Sequence, residues 1–499
     1  MIRRVFLGLI AAGATIVAQS AQAKWIEART EHFAVYGDLS EREASDVAVQ
    51  LERFDHLLRQ IANLPSAPES ESDKVTVFLV PFSTVQSLAH SSMIGGFYAS
   101  DIQSTLAVMP ESLPDGVDAG PFEVMFHEYT HHIFISSADT SYPSWVEEGL
   151  AEFFGTTRFR RDGTILIGAP PQMRGQALHR QVQMNIEELL SSDGKKLSDA
   201  EIEDKYARGW LLTHYLLLGG KRPKQYDAYL KLMAKGVPSL DAARQVFGDL
   251  RTLGGELERY NRGGRFQAYA IPADFAPPAP KIRALSPCEA RIMPTRMRSA
   301  VGVNEKTAPQ LVGPARAVAA ECPNDAFVQR SLAEVEFDAK NNNESMAAAD
   351  RALAVNPNEL MAMIYKGRVF AREGRWDDAR KWFIKANHLN PNYALPLVLY
   401  YDSFMRAGVK PPEPAINGLM RAMVLSPRSS ELRLRVAYEL IKEDDLAMAR
   451  KILAPVAFAV HGAPDKNAVE VLKKIDAKAP ASDILSQATA AKWNEIGKE

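Results

Sequence analysis

Between residues 323 and 427 the chain repeats a proline at a near-constant interval. Pro323 follows Cys, Pro357 and Pro391 follow Asn, and Pro427 follows Ser, so the intervals are 34, 34 and 36 residues. A period of this length is one supersecondary unit. It is too small to bury its own apolar face, so the chain must stack such units until neighbours bury each other. In the unit ending at Pro391, Gly367, Phe370, Ala379, Phe383 and Ala386 supply small and aromatic residues where two helices touch, and Gly374 sits in the turn between them. Neighbouring units keep Ala333, Ala349 and Ala352, or Ala415 and Ala422, while Pro411-Pro412 stretches the turn behind the longer third interval. Each proline ends a second helix, because it has no amide hydrogen to donate.

These helix-turn-helix units resemble the tetratricopeptide (TPR) repeat. The resemblance implies an all-α helical-repeat domain over residues 286–499, with a protein partner bound through it. Ahead of it, the run from Pro272 to Pro280 carries four prolines. It can neither hold a helix nor donate within a sheet, which marks residues 271–285 as a Pro-rich linker. At 499 residues the chain exceeds what one core fills, in keeping with at least two domains. Its 59 Lys and Arg against 61 Asp and Glu leave a net charge of -2, which gives no electrostatic footing for nucleic acid.

Arg3 and Arg4 precede an apolar run from Val5 to Ala18, and Ala21-Gln22-Ala23 has the small-x-small form that signal peptidase reads. Residues 1–23 read as a signal peptide cut after Ala23, and the mature protein as periplasmic or secreted; the alternative is a membrane anchor, for which the run is short. No second apolar run of spanning length follows, so no integral membrane segment is expected after cleavage. Cys288 and Cys322, an even count in an exported chain, are either one disulfide or two separate thiols.

Residues 24–270 mix strands and helices. Phe33–Tyr36 and Val75–Val80 read as strands, and Glu41–Ile61 as an amphipathic helix with Val47, Leu51, Phe54 and Leu58 on one face. Gly95–Ala99 and Thr105–Met109 suggest a further strand pair. Helices follow from Phe122 to about Tyr260, broken by a hairpin signal at Arg161-Asp-Gly163.

Within that helical region lies His127-Glu128-Tyr129-Thr130-His131, an HExxH sequence on a helix starting near Pro121. The i, i+4 spacing puts both imidazoles on one face, where they can share one Zn²⁺, and Glu128 beside that face can take a proton from water. His132 lies about 100° further round the helix and cannot join them. The pattern is short, so its surroundings decide. The helix is otherwise apolar at Val124, Met125, Phe126, Ile133 and Phe134, which makes the His pair and Glu128 buried polar groups in need of a reason.

A second segment, Pro143-Ser-Trp-Val-Glu-Glu-Gly-Leu-Ala-Glu-Phe-Phe154, places carboxylates on the next helix. Together the two segments resemble the gluzincin metallopeptidases, whose third zinc ligand is a Glu on a following helix. In the M1 aminopeptidase branch an N-E-G sequence supplies it, which implies that Glu148, followed here by Gly149, is the third ligand. Glu147 would then point elsewhere and be solvated. Glu152, one turn on, is either an acceptor for a ligand imidazole or a surface carboxylate. A third segment, Tyr206-Ala-Arg-Gly209, is similar to the family's Y-x-[KR]-G run and implies that Tyr206 donates to the oxyanion. Without the resemblance Tyr206 reads as a packed aromatic, and His214, on the same helix, as a core histidine or else a competing polar donor. The family's G-x-M-E-N strand, whose Glu anchors a free amine, is absent, since Gly95–Ala99 offers no carboxylate. That leaves endopeptidase and exopeptidase action both open.

The expected architecture is an α+β zincin-like metallopeptidase domain over residues 24–270, followed by the repeats. The expected function is zinc-dependent peptide hydrolysis, with one Zn²⁺ per chain on His127, His131 and Glu148 and with Glu128 and Tyr206 as catalytic residues. Its partners would be a peptide or protein substrate and a protein bound by the repeats. The alternative is an inactive zincin-fold scaffold that acts through the repeats alone.

Overall fold

In the computed structural model the described residues are 24–64, 72–89, 96–112, 121–137, 142–179, 184–193, 195–235, 237–457 and 465–490. The expected signal peptide and Gly95 lie outside them. Strands β1 (Trp25–Arg29), β2 (Phe33–Asp38), β3 (Val75–Val80), β4 (Phe97–Ser100) and β5 (Thr105–Pro110) belong to one sheet. β6 (Arg158–Phe159), β7 (Thr164–Ile167) and β8 (Tyr269–Pro272) form a small antiparallel one, its β6–β7 hairpin turning at Gly163 with φ +80°. β9 (Lys281–Ala284) completes the first sheet, whose order is β4-β5-β3-β2-β1-β9. β2, β3 and β5 run parallel, and β1, β4 and β9 are antiparallel to their neighbours.

Strand alternation sends odd and even residues to opposite faces. Phe33, Val35, Val75 and Val77 join a core with Leu51, Phe54 and Leu58 of helix α1 (Glu41–Ile61), whose start is fixed by a capping box of Ser40 and Glu43. On the opposite face Ala34, Tyr36 and Phe78 pack with Val85 of α2 (Phe82–Ala89). The first face also receives α3 (Pro121–Ser137) through Met125, Phe126 and Tyr129. Beyond it come α4 (Ser144–Gly155), α5 (Gly175–His179), α6 (Ile186–Leu190), α7 (Asp199–Leu218), α8 (Gln225–Ala234), α9 (Ser239–Phe247) and α10 (Leu250–Gly263).

The segment expected to be a linker does not separate two packing units. Its two ends are strands: β8 pairs with β7, and β9 adds to β1. Helix α11 (Pro287–Val301) then lays Ala290, Met293 and Met297 against the second face of the sheet, so the boundary placed at residue 286 falls inside a shared core. Cys288 on α11 is disulfide-bonded to Cys322 at the end of α12 (Ala308–Glu321).

From there helices pair with a regular beat: α13 (Ala326–Asp338) with α14 (Asn342–Val355), α15 (Leu360–Arg372) with α16 (Trp376–Leu389), α17 (Ala394–Arg406) with α18 (Glu413–Leu425), and α19 (Ser430–Lys442) with α20 (Leu446–Ala457). α21 (Lys466–Asp476) and α22 (Ala481–Ala490) follow. Each pair turns on a left-handed residue, at Lys340, Gly374, Gly408 and Asp444, which repeats the 34, 34 and 36 intervals of the prolines. A Cβ on Gly367 would stand 2.4 Å from the Phe383 ring, so this glycine is what lets α15 and α16 touch. The chain is thus an α+β region followed by a TPR-like helical repeat. Among the described residues no helix is long and apolar enough to cross a membrane.

Candidate metal centre

Three helices converge on the site, and glycines set how closely they approach. A Cβ on Gly155 of α4 would lie 3.2 Å from the Glu123 carbonyl oxygen and 3.4 Å from His127 Cβ on α3. One on Gly149 would lie 2.5 Å from the Gly209 carbonyl oxygen on α7. Glu148 precedes the first of this last pair and Tyr206 lies one turn before the second, so the contact brings the two side chains to one place.

His127 Nε2 and His131 Nε2 are 3.2 Å apart, and Glu148 Oε2 stands 3.5 Å from each. One donor atom from each of the three lies within 4.8 Å of the others, and Glu148 is 1% exposed. Glu152 is buried too. Its Oε1 is 3.5 Å from His127 Nδ1 and accepts a 2.8 Å hydrogen bond from Arg174 Nε, so it is held against the His127 imidazole and is not a surface carboxylate. The Arg174 guanidinium also lies over the Tyr206 ring, 4.8 Å from its centroid. Glu128 is half-buried on α3, and its charge reaches both His127 and Tyr206.

The charges in this cage favour a cation. Burial works against a proton on His127, but a hydrogen bond to Glu148 and the charges of Glu152 and Glu128 outweigh it and push the pKa up to about 9. His131 goes the other way, lowered by burial and by His127 despite Glu148. Burial and the negative charge of Glu148 raise the Tyr206 phenol, which stays protonated and able to donate. Glu147, expected in solvent, is half-buried. Burial first, then the charges of Glu148 and Asp193, push its carboxyl up to about 8.

His132 lies apart from the three, its ring stacked on Tyr129 at 4.8 Å and its Nδ1 bonded to the Tyr98 hydroxyl. His214 is fully buried beside Trp210, with Nδ1 2.8 Å from the Tyr260 hydroxyl, and burial holds it down to about 4. A second group with ligand spacing, His32, Glu52 and Asp55, already holds a cation. Both Asp55 oxygens accept from Arg59 Nε at 2.8 Å, and Tyr129 donates to one of them. Sequence reasoning missed Arg174. It enters from a short 3-10 turn (Gln172–Arg174), and no motif marks it.

A family model described as "Protein of unknown function (DUF1570)" matches residues 123–239, the stretch that carries the site. No curated protein matches the chain. Among solved structures the chain is similar to pilF of Pseudomonas aeruginosa at 17% identity, over 42% of this chain and 93% of that one, with a TM-score of 0.33. It is also similar to YrrB, described as a TPR protein with an unusual peptide-binding site, at 18% identity, over 35% and 91%, with a TM-score of 0.28.

Proposed function

We propose that this protein is an exported zinc metallopeptidase of the gluzincin type, with a zincin-like α+β region and a repeat module for a protein partner or substrate. The observation that carries the reading is the buried triangle of His127, His131 and Glu148. Two imidazoles and one carboxylate are a donor set suited to a catalytic zinc with a position left for water. Bound there, zinc supplies Lewis acidity, which acidifies water and polarises a carbonyl.

The chain's own residues would do the rest. Glu128 takes a proton from the attacking water and returns it to the leaving amine. Tyr206 donates its hydroxyl proton in a hydrogen bond to the oxyanion as the carbonyl is attacked. Glu152 holds the His127 ring through Nδ1 and is itself held by Arg174. The edge strand β4, packed against α3, offers its backbone to an extended peptide. Export is supported by the character of residues 1–23 and by the Cys288–Cys322 disulfide.

Peptide and denatured-protein libraries incubated with the wild-type protein and with Glu128→Gln test the reading. Cleavage by the zinc-loaded wild type, and its loss in a variant that keeps zinc, is the expected result. A protein that holds zinc and cleaves nothing would favour the scaffold reading.

A further inference from the structure

The repeats reach the metal helix through one buried cation. Arg428 lies in the turn between α18 and α19, and its Nε donates to the backbone carbonyl of His132 at 2.5 Å. Its Nη1 pairs with Asp73, in the loop before β3. The Arg428 side chain is 7% exposed, so its charge has to be met inside the protein, and these two acceptors meet it. His132 directly follows the ligand His131 in the last turns of α3. A cation set against a carbonyl there also complements the negative end of the helix dipole.

The same face of the repeats grips the sheet edge beside the site. Ile102, at the tip of the β4–β5 hairpin, belongs to an apolar cluster with Ile364 of α15 and Leu395 of α17. The Gln103 carbonyl accepts from the Tyr393 hydroxyl at 2.8 Å, and its side-chain oxygen accepts from Arg368 Nη1 at 3.0 Å. The Ala394 amide donates to Ser72 Oγ at 2.8 Å. Repeat helices α15 and α17 and the turn entering α19 therefore hold three pieces of the α+β region at once: the loop before β3, the hairpin that carries β4, and the end of α3.

We infer that Arg428 is a positioning residue for the metal centre, and that this face of the repeats binds its own chain. α3 carries two of the three ligands and α4 the third, so a shift of α3 along its axis changes the distance between His131 and Glu148. Arg428 opposes that shift at the residue next to His131. The inference rests on the proposed zinc site for its chemical consequence, whereas the contact itself stands apart from it.

The test uses full-length protein loaded with zinc, and with cobalt for its visible absorption spectrum. Arg428→Ala is expected to stay folded by circular dichroism, to lose zinc affinity by roughly 10–100-fold in chelator competition, the scale seen when a group supporting a metal ligand is removed, and to show an altered cobalt band. Arg428→Lys, which keeps the charge but not the fork, should fall between it and the wild type. Arg450→Ala, at an exposed pair with Asp476 in a later repeat, should match the wild type. Wild-type affinity and spectrum in Arg428→Ala overturn the inference while leaving the zinc reading intact. A wild-type protein that takes up neither metal overturns both. If Arg428→Ala does not fold, wild-type affinity and spectrum in Arg428→Lys overturn the inference instead.

Discussion

Replacing Gly149 by Ala asks whether helix contact sets the geometry of the metal site. A Cβ built on Gly149 would stand 2.4 Å from Thr213 Oγ1 and 2.5 Å from the Gly209 carbonyl oxygen, where ordinary contact begins at 3.4 Å. The hydroxyl can rotate, but the backbone oxygen cannot, so α4 and α7 must part by about 1 Å to reach contact distance. Overpacking of this kind costs about 3 kcal/mol when backbone has to move, and Ala regains about 1 kcal/mol through its better helix propensity. The expected net loss is about 2 kcal/mol. Because Glu148 and Tyr206 ride on the two helices, zinc affinity and turnover should fall with stability. Gly255→Ala on α10 is the control: its Cβ would meet only Arg259 Nη1 at 3.6 Å. That change should gain about 0.5–1 kcal/mol. Urea unfolding of both variants, with zinc measured by chelator competition, gives the answer. A Gly149→Ala protein as stable as Gly255→Ala, with wild-type zinc affinity, would refute the reasoning.

Three further outcomes are expected. Tyr206→Phe should keep zinc and fold and lose turnover by roughly a hundredfold or more, the usual effect of one lost oxyanion donor; near-wild-type turnover would make Tyr206 structural. A chain ending at Pro272 loses β9 and α11, which bares the β1 edge and the face carrying Tyr36 and Phe78, so it should be insoluble or melt without cooperativity by circular dichroism. A soluble fragment with a sharp melt would show that α11 is dispensable. Reducing Cys288–Cys322, which closes a loop across 34 residues, should cost about 4 kcal/mol of the stability of the unit that contains it, read as a lower urea midpoint with reductant present. An unchanged midpoint would mean the two thiols are not bonded.

Local signals carried much of the fold and named the residues that meet at the candidate site. The i, i+4 spacing put His127 and His131 on one face of α3, and the period of the prolines matches the left-handed turns at Lys340, Gly374, Gly408 and Asp444. Gly149 and Gly209 were readable as parts of short motifs, although their physical reason, the close approach of α4 and α7, needed the partner helix. Long-range pairing was not legible. Lys281–Ala284 has too little alternation to announce a strand, and it pairs with β1 across more than 250 residues. Prolines therefore marked a connection without revealing that its end rejoins the sheet. Glu147 shows the same limit for charge. Its helix position places it off the His pair, but only the folded surroundings half-bury it and, with the charges of Glu148 and Asp193, raise its carboxyl. Arg174 and Arg428 act from turns, where side-chain type carries no periodic signal, so neither could be picked out before the helices they touch were in place.

The metal content of protein purified without added zinc tests the central claim most directly. Wild type, Glu148→Ala and Glu147→Ala should be prepared in parallel and measured by elemental mass spectrometry. His127, His131 and Glu148 each offer a donor atom to one small space, and Glu147, the neighbour of Glu148, is not among them. The wild type and Glu147→Ala are therefore predicted to hold close to one zinc per chain, and Glu148→Ala to lose most of it. A wild-type protein without zinc, or a Glu148→Ala protein as fully loaded as Glu147→Ala, would contradict the account.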